Sequence, residues 1–241
     1  MKINSTKTAR HLALLLASTL VLSACSDDDD PVVEEPEVTP PAPVVSSYDI
    51  TITNLTSAQP LSPAAIVLHS EGRLWTLGET ASEELEYLAE GGDNSFLLAL
   101  PVVAAGESGL APIAPGGSET ISISIEDNDM PLLSVVTMLV NTNDAFTGIN
   151  AQSLAQLAVG ESWSSTTLAY DSGTEANSEV MGTIPGPVDM GVGFDAARDD
   201  VDFVAMHPGI VSVDDGLSTS VLSKLHGFDN PIAKIQVTRT E

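Results

Sequence analysis

Residues 48–53 alternate strictly: Tyr48, Ile50 and Ile52 are apolar, Asp49, Thr51 and Thr53 are polar, and Asn54 closes the run. A period of two sends successive side chains to opposite faces, so the segment reads as a strand with one face in a core and the other in water. Ile121, Ile123 and Ile125 alternate with Ser122 and Ser124 in the same way. Near the end, Lys234, Gln236 and Thr238 alternate with Ala233, Ile235 and Val237, which predicts a closing strand. Residues 132–140 form a longer run rich in Val and Leu, as expected of a central strand, and residues 162–169 read as one further strand. Gly116-Gly117 and Pro185-Gly186-Pro187 mark turns, and no long internal repeat is present. Short strands with frequent turns predict an all-β fold, an antiparallel β-sandwich.

One or two short helices are expected in the connections. Thr80 is placed to cap a helix with Glu83 three residues on, Leu85, Leu88 and Ala89 form its apolar side, and Gly91-Gly92 stops it. Shorter helical turns are expected over residues 94–100 and 151–157. The globular part is predicted to start at Tyr48, within a domain spanning residues 47–241.

The first 24 residues follow the logic of export. Lys2, Lys7 and Arg10 form a positive start, residues 12–22 are an apolar run too short to span a bilayer, and Ser23 and Ala24 precede Cys25. Leu22-Ser23-Ala24-Cys25 resembles a bacterial lipobox, which implies cleavage before Cys25 and lipidation of its thiol. Several acyl chains make a durable membrane anchor. By analogy, Ser26 favours the outer membrane of a Gram-negative cell envelope. Cys25 is the only cysteine, so no disulfide within the chain is possible. Residues 25–46 carry Asp27, Asp28, Asp29 and Asp30 in sequence, followed by Pro31, Pro36, Pro40, Pro41 and Pro43. Like charges and prolines together predict an extended, disordered stalk.

The whole chain has 8 Lys+Arg against 34 Asp+Glu, and three of those eight bases belong to the leader. Such acidity disfavours nucleic acid and anionic lipid headgroups as partners; it suits solubility or divalent cations. No G-x-S-x-G elbow occurs, since Gly160-Glu161-Ser162-Trp163-Ser164 ends in Ser. There is no H-E-x-x-H, no cysteine cluster and no phosphate-cradling glycine loop. His69, His207 and His226 are far apart, each beside Ser, Pro or Gly in a loop-like context, and a structural role is expected of each. The expectation is therefore that the chain is not an enzyme.

Calcium chemistry has better support. Ca²⁺ takes six to eight oxygen ligands, most easily gathered from loops on a rigid scaffold. Asn141-Thr142-Asn143-Asp144 follows the apolar run, and Asp171-Ser172-Gly173-Thr174-Glu175 follows another expected strand, with Gly173 permitting a tight turn. Ordinary turn acids remain the alternative on composition alone.

Those stretches also carry a family resemblance. Residues 48–56, Gln59-Pro60-Leu61-Ser62-Pro63, His69-Ser70, residues 138–148, Asp171-Ser172-Gly173-Thr174-Glu175 and the closing residues 233–239 resemble the spondin-type (spondin N) domain, in its bacterial lipoprotein branch. The resemblance implies a C2-like antiparallel sandwich holding a calcium ion in loops at one end. It implies ligation by Asp144, which precedes Phe146 and Gly148, and by Asp171 and Glu175 of an Asp-x-Gly-Thr-Asp-like loop. Glu175 departs from the family's Asp, and its extra methylene still permits coordination. The expected function is a surface-exposed calcium-binding lipoprotein, a non-enzymatic adhesion or recognition module for an unidentified extracellular protein or glycan. An extracellular carboxylate-pair hydrolase and a metal-free structural envelope lipoprotein stand as alternatives.

Overall fold

The computed structural model describes residues 41–128 and 131–241. The expected export leader, Cys25 and most of the expected acidic stalk lie outside the described residues. Residues 41–44 are exposed and without regular structure, and the first strand begins at Val45, inside the segment assigned to the stalk.

In chain order the elements are β1 (Val45–Asn54), β2 (Ala65–His69), α1 (Glu83–Gly91), α2 (Ser95–Leu98), β3 (Val103–Ser108), β4 (Ser118–Glu126) and β5 (Leu132–Met138). There follow β6 (Ala145–Ser153), β7 (Ser162–Thr166), β8 (Ala169–Asp171), β9 (Ala205–Met206) and β10 (Ala233–Arg239). They form two antiparallel sheets, one ordered β4-β1-β10-β7 and the other β3-β2-β5-β6-β8-β9. The fold is an all-β sandwich with two short helices, as the strand pattern predicts. Among the described residues no helix is long and apolar enough to cross a membrane.

The alternating segments do what a period of two requires. Tyr48, Ile50 and Ile52 of β1, Ile121, Ile123 and Ile125 of β4, and Ile235 and Val237 of β10 point inward against Ile66, Leu68, Leu133 and Val135 of the larger sheet. Burying each such side chain stabilises the fold by roughly 1.5–3 kcal/mol. On the solvent side of the smaller sheet, cross-strand hydroxyl pairs line up: Ser47 with Ser124 at 2.9 Å, Thr51 with Thr120 at 2.7 Å, and Thr53 with Ser118 at 2.9 Å.

The larger sheet is covered on both faces, which explains why β2 and β5 are apolar without alternation. Its second face holds Val67, Val136, Met138 and Phe146 against Leu85 and Leu88 of α1, Leu97 of α2 and Trp75. Trp75, Phe146 and Tyr170 form an aromatic triad with ring centroids 5.3–5.6 Å apart.

Four local expectations need correction. The cap of α1 is Ser82, whose hydroxyl accepts from the Leu85 amide at 3.3 Å; Thr80 sits too far before Glu83 to serve. The stop is as expected, with Gly92 left-handed at φ 70° and its amide bonded to the Leu88 carbonyl. Residues 162–169 are not one strand. The chain leaves the smaller sheet after Thr166 and enters the larger one at Ala169, with buried Thr167 at the crossing, hydrogen-bonded to the Thr147 hydroxyl at 2.6 Å. Residues 151–153 belong to β6 rather than to a helical turn, because pairing with β5 extends to Ser153. Lastly, His69 is no loop residue: it ends β2 fully buried, with Nδ1 on the Glu71 carbonyl at 2.7 Å and Nε2 on Ser134 Oγ at 2.9 Å.

Candidate metal centre

Pairing of β6 with β8 places Ala145 opposite Asp171. Asp144 immediately precedes Ala145, so the two turns that carry the acidic residues are forced together at one end of the larger sheet. Asp144 is held from its own side by Thr142, whose hydroxyl donates to the Leu139 carbonyl and accepts from the Ala145 amide. Phe146, two residues on, locks the strand into the aromatic triad. Gly148 lies where a Cβ would fall 1.9 Å from the Val135 carbonyl oxygen, so only glycine permits this close pairing of β6 with β5.

The second turn wraps around Asp144. Its Oδ2 accepts from Ser172 Oγ at 2.7 Å, the Thr174 amide at 3.0 Å and the Glu175 amide at 3.2 Å. Gly173 makes this wrap possible: its φ is +72°, and a Cβ there would stand 2.3 Å from the Phe203 carbonyl oxygen. Asp171 Oδ1 accepts from the Gly173 amide at 2.8 Å and Oδ2 from Asn177 Nδ2 at 2.7 Å. Asn177 Oδ1 in turn meets His207 Nε2 at 3.1 Å, and His207 Nδ1 accepts from the Gly209 amide at 3.0 Å. His207 is therefore neutral, with its proton on Nε2 and directed at Asn177. Burial pushes its pKa down, against the pull of the Asp171 charge. Glu175 Oε1 accepts from Asn143 Nδ2 at 3.0 Å.

All three acidic residues expected at this site are thus brought into one neighbourhood, and their electrostatics show it. Burial raises the Asp144 pKa to about 7, and the Asp171 charge adds to the rise against the hydrogen bonds from Ser172, Glu175 and Thr174. Burial raises Glu175 to about 8, offset in part by Asn143 and reinforced by the charges of Glu90, Asp144 and Asp199. Asp200 is also raised, by burial first and then by Asp171. Among the described residues no ion pair offsets this charge: the two present both belong to Arg198, with Glu86 and with Asp202.

Oxygen chemistry at the site suits a hard cation. Asp144 is fully buried, and its Oδ1 has no hydrogen-bond partner among the described residues, although a buried carboxylate oxygen ordinarily finds one. Among the described residues no group of three or more His, Cys, Asp or Glu side chains already stands in metal-holding geometry. Coordination by all three would therefore need a side chain to move, and half-buried Glu175, the longest of them, is best placed to do so.

Sequence reasoning missed several participants. Asn143 lay inside a stretch singled out for its acid, yet it is itself fully buried, donating to Glu175 and to Thr183 Oγ1 while its Oδ1 accepts from the Glu179 amide. Ser172 and Thr174 carried no signal of their own, yet they supply donors to Asp144. Glu86 and Glu90 carried a faint signal, as acids four apart beside the apolar stripe of α1. Comparison with protein-family models and with curated proteins returns no match for this chain.

Proposed function

We propose that this protein is a calcium-binding, non-enzymatic adhesion or recognition module of the spondin type, anchored to the outer membrane of a Gram-negative cell envelope through lipid on Cys25. Asp144, Asp171 and Glu175 hold the ion. The observation that carries this reading is the buried, donorless Oδ1 of Asp144, a carboxylate that feels the charge of Asp171 and acts in turn on Glu175. A divalent cation offsets their mutual repulsion and turns the same groups into ligands. Calcium suits the donor set because every group is a hard oxygen and the turns also offer backbone carbonyls. Binding ties the Asp144 turn to the 171–175 turn and stiffens the end of the sandwich, where a protein or glycan partner would dock. Burial argues against catalysis by Asp144 and Asp171, since Asp144 is fully covered and Asp171 is 4% exposed.

Isothermal titration of the full chain with CaCl₂ tests the reading. One specific site is expected, and Asp171→Ala is expected to abolish it. Calcium binding that persists unchanged in that variant removes Asp171, and with it this assignment.

A further inference from the structure

Helix α1 carries a fourth carboxylate to the same place. Glu90 lies in its last turn and is 1% exposed. Its Oε2 accepts from the Asp195 amide at 2.9 Å, and its Oε1 is buried with no hydrogen-bond partner among the described residues. The segment that starts at Asp195 runs back onto the acidic turn. The Asp199 amide donates to the Thr174 carbonyl at 3.1 Å, the Asp202 amide to the Gly173 carbonyl at 2.7 Å, and the Ala176 amide to Asp199 Oδ1 at 2.8 Å. The Thr174 side chain stands against both Glu90 and Asp144.

A purely structural account of Glu90 is poor. A helix C-terminus repels negative charge, the last turn of α1 holds no basic residue, and Glu86 lies one turn earlier on the same face. Its hydrogen-bond partners, the Asp195 amide and the Thr174 hydroxyl, ask only for a neutral oxygen, which glutamine supplies. Two donorless buried oxygens, Glu90 Oε1 and Asp144 Oδ1, therefore come from two different elements that converge on Thr174 and Glu175.

We infer that Glu90 is a further ligand of the divalent cation held by Asp144, Asp171 and Glu175, so that the ion cross-links helix α1 to the two turns. The inference rests on the calcium reading above. In that arrangement the ion joins the helical layer to the end of the larger sheet, and its loss frees α1 as well as the turns.

The test titrates CaCl₂ into the full-length wild-type chain, Glu90→Gln and Asp171→Asn, and follows thermal unfolding of each in EDTA and in Ca²⁺. Glu90→Gln is expected to weaken calcium affinity by roughly tenfold or more. In EDTA it is expected to melt no lower than the wild type, since it relieves repulsion while keeping the acceptor for Asp195. Wild-type binding lost in Asp171→Asn but within about twofold of normal in Glu90→Gln overturns the inference and leaves the calcium site standing. A Glu90→Gln variant that melts well below wild type in EDTA assigns the residue to the fold and overturns it too. A wild type that takes up no Ca²⁺ removes both readings together.

Discussion

The backbone amide of Glu175 donates to Asp144 Oδ2 at 3.2 Å, so the main chain of one acidic residue holds the carboxylate of another. The bond favours ionised Asp144, yet burial and the Asp171 charge outweigh it and leave the group titrating near neutrality. The end of this sandwich consequently takes up protons near neutral pH, and on the proposed calcium reading a cation competes with them.

That balance predicts a pH dependence. Asp144 and Glu175 have folded-state pKa values of about 7 and about 8, above those of the unfolded chain. The stabilisation from protonating them is complete below the unfolded values and is lost as pH rises through the folded ones. In EDTA the melting temperature is expected to fall between about pH 5 and about pH 8. Saturating Ca²⁺ is expected to suppress that fall, and titration near pH 7 is expected to release protons, seen as a binding enthalpy that varies with the buffer. A flat melting temperature in EDTA across this window would sink the assignment.

Gly173→Ala tests the wrap of the second turn. A left-handed φ costs a non-glycine residue about 1–2 kcal/mol, and the clash with the Phe203 carbonyl adds to it. Denaturant unfolding is expected to show a loss above that range, accompanied by weakened Ca²⁺ binding.

Arg198→Met leaves Glu86 3% exposed, with no other ion-pair partner among the described residues. The expected loss is about 2–4 kcal/mol, reduced from the fully buried case because the arginine itself is 23% exposed. Replacing both partners, with Glu86→Leu beside Arg198→Met, is expected to recover much of that loss, which a double-mutant cycle measures.

Phe146→Ala removes one ring of the triad with Trp75 and Tyr170 and is expected to cost about 3–5 kcal/mol. Because Phe146 stands two residues from Asp144, its loss is expected to loosen the Asp144 turn as well. Unfolding and calcium titration of the same sample would show whether the two effects travel together.

Strand β1 was legible almost residue by residue, since alternation is a local property and its buried and exposed faces follow from it. So were the stop of α1 at Gly92 and the meeting of Asp144 with the 171–175 turn, although the latter was read through family resemblance rather than spacing. The cap at Ser82 was misplaced because several residues near the helix start can cap it, and packing selects among them. The break at Thr167 left no local mark, because a residue moving from one sheet to the other keeps an extended backbone.

The sequence alone determined the period of its strands, and with it the face each side chain shows, because both depend only on neighbours along the chain. Tertiary structure decided which strands pair, that β7 and β8 part into different sheets, and that Glu90 of a helix stands beside the distant 171–175 turn. Those outcomes depend on residues far apart in the chain sharing one desolvated space, where burial, charge and hydrogen bonding act between elements rather than along them.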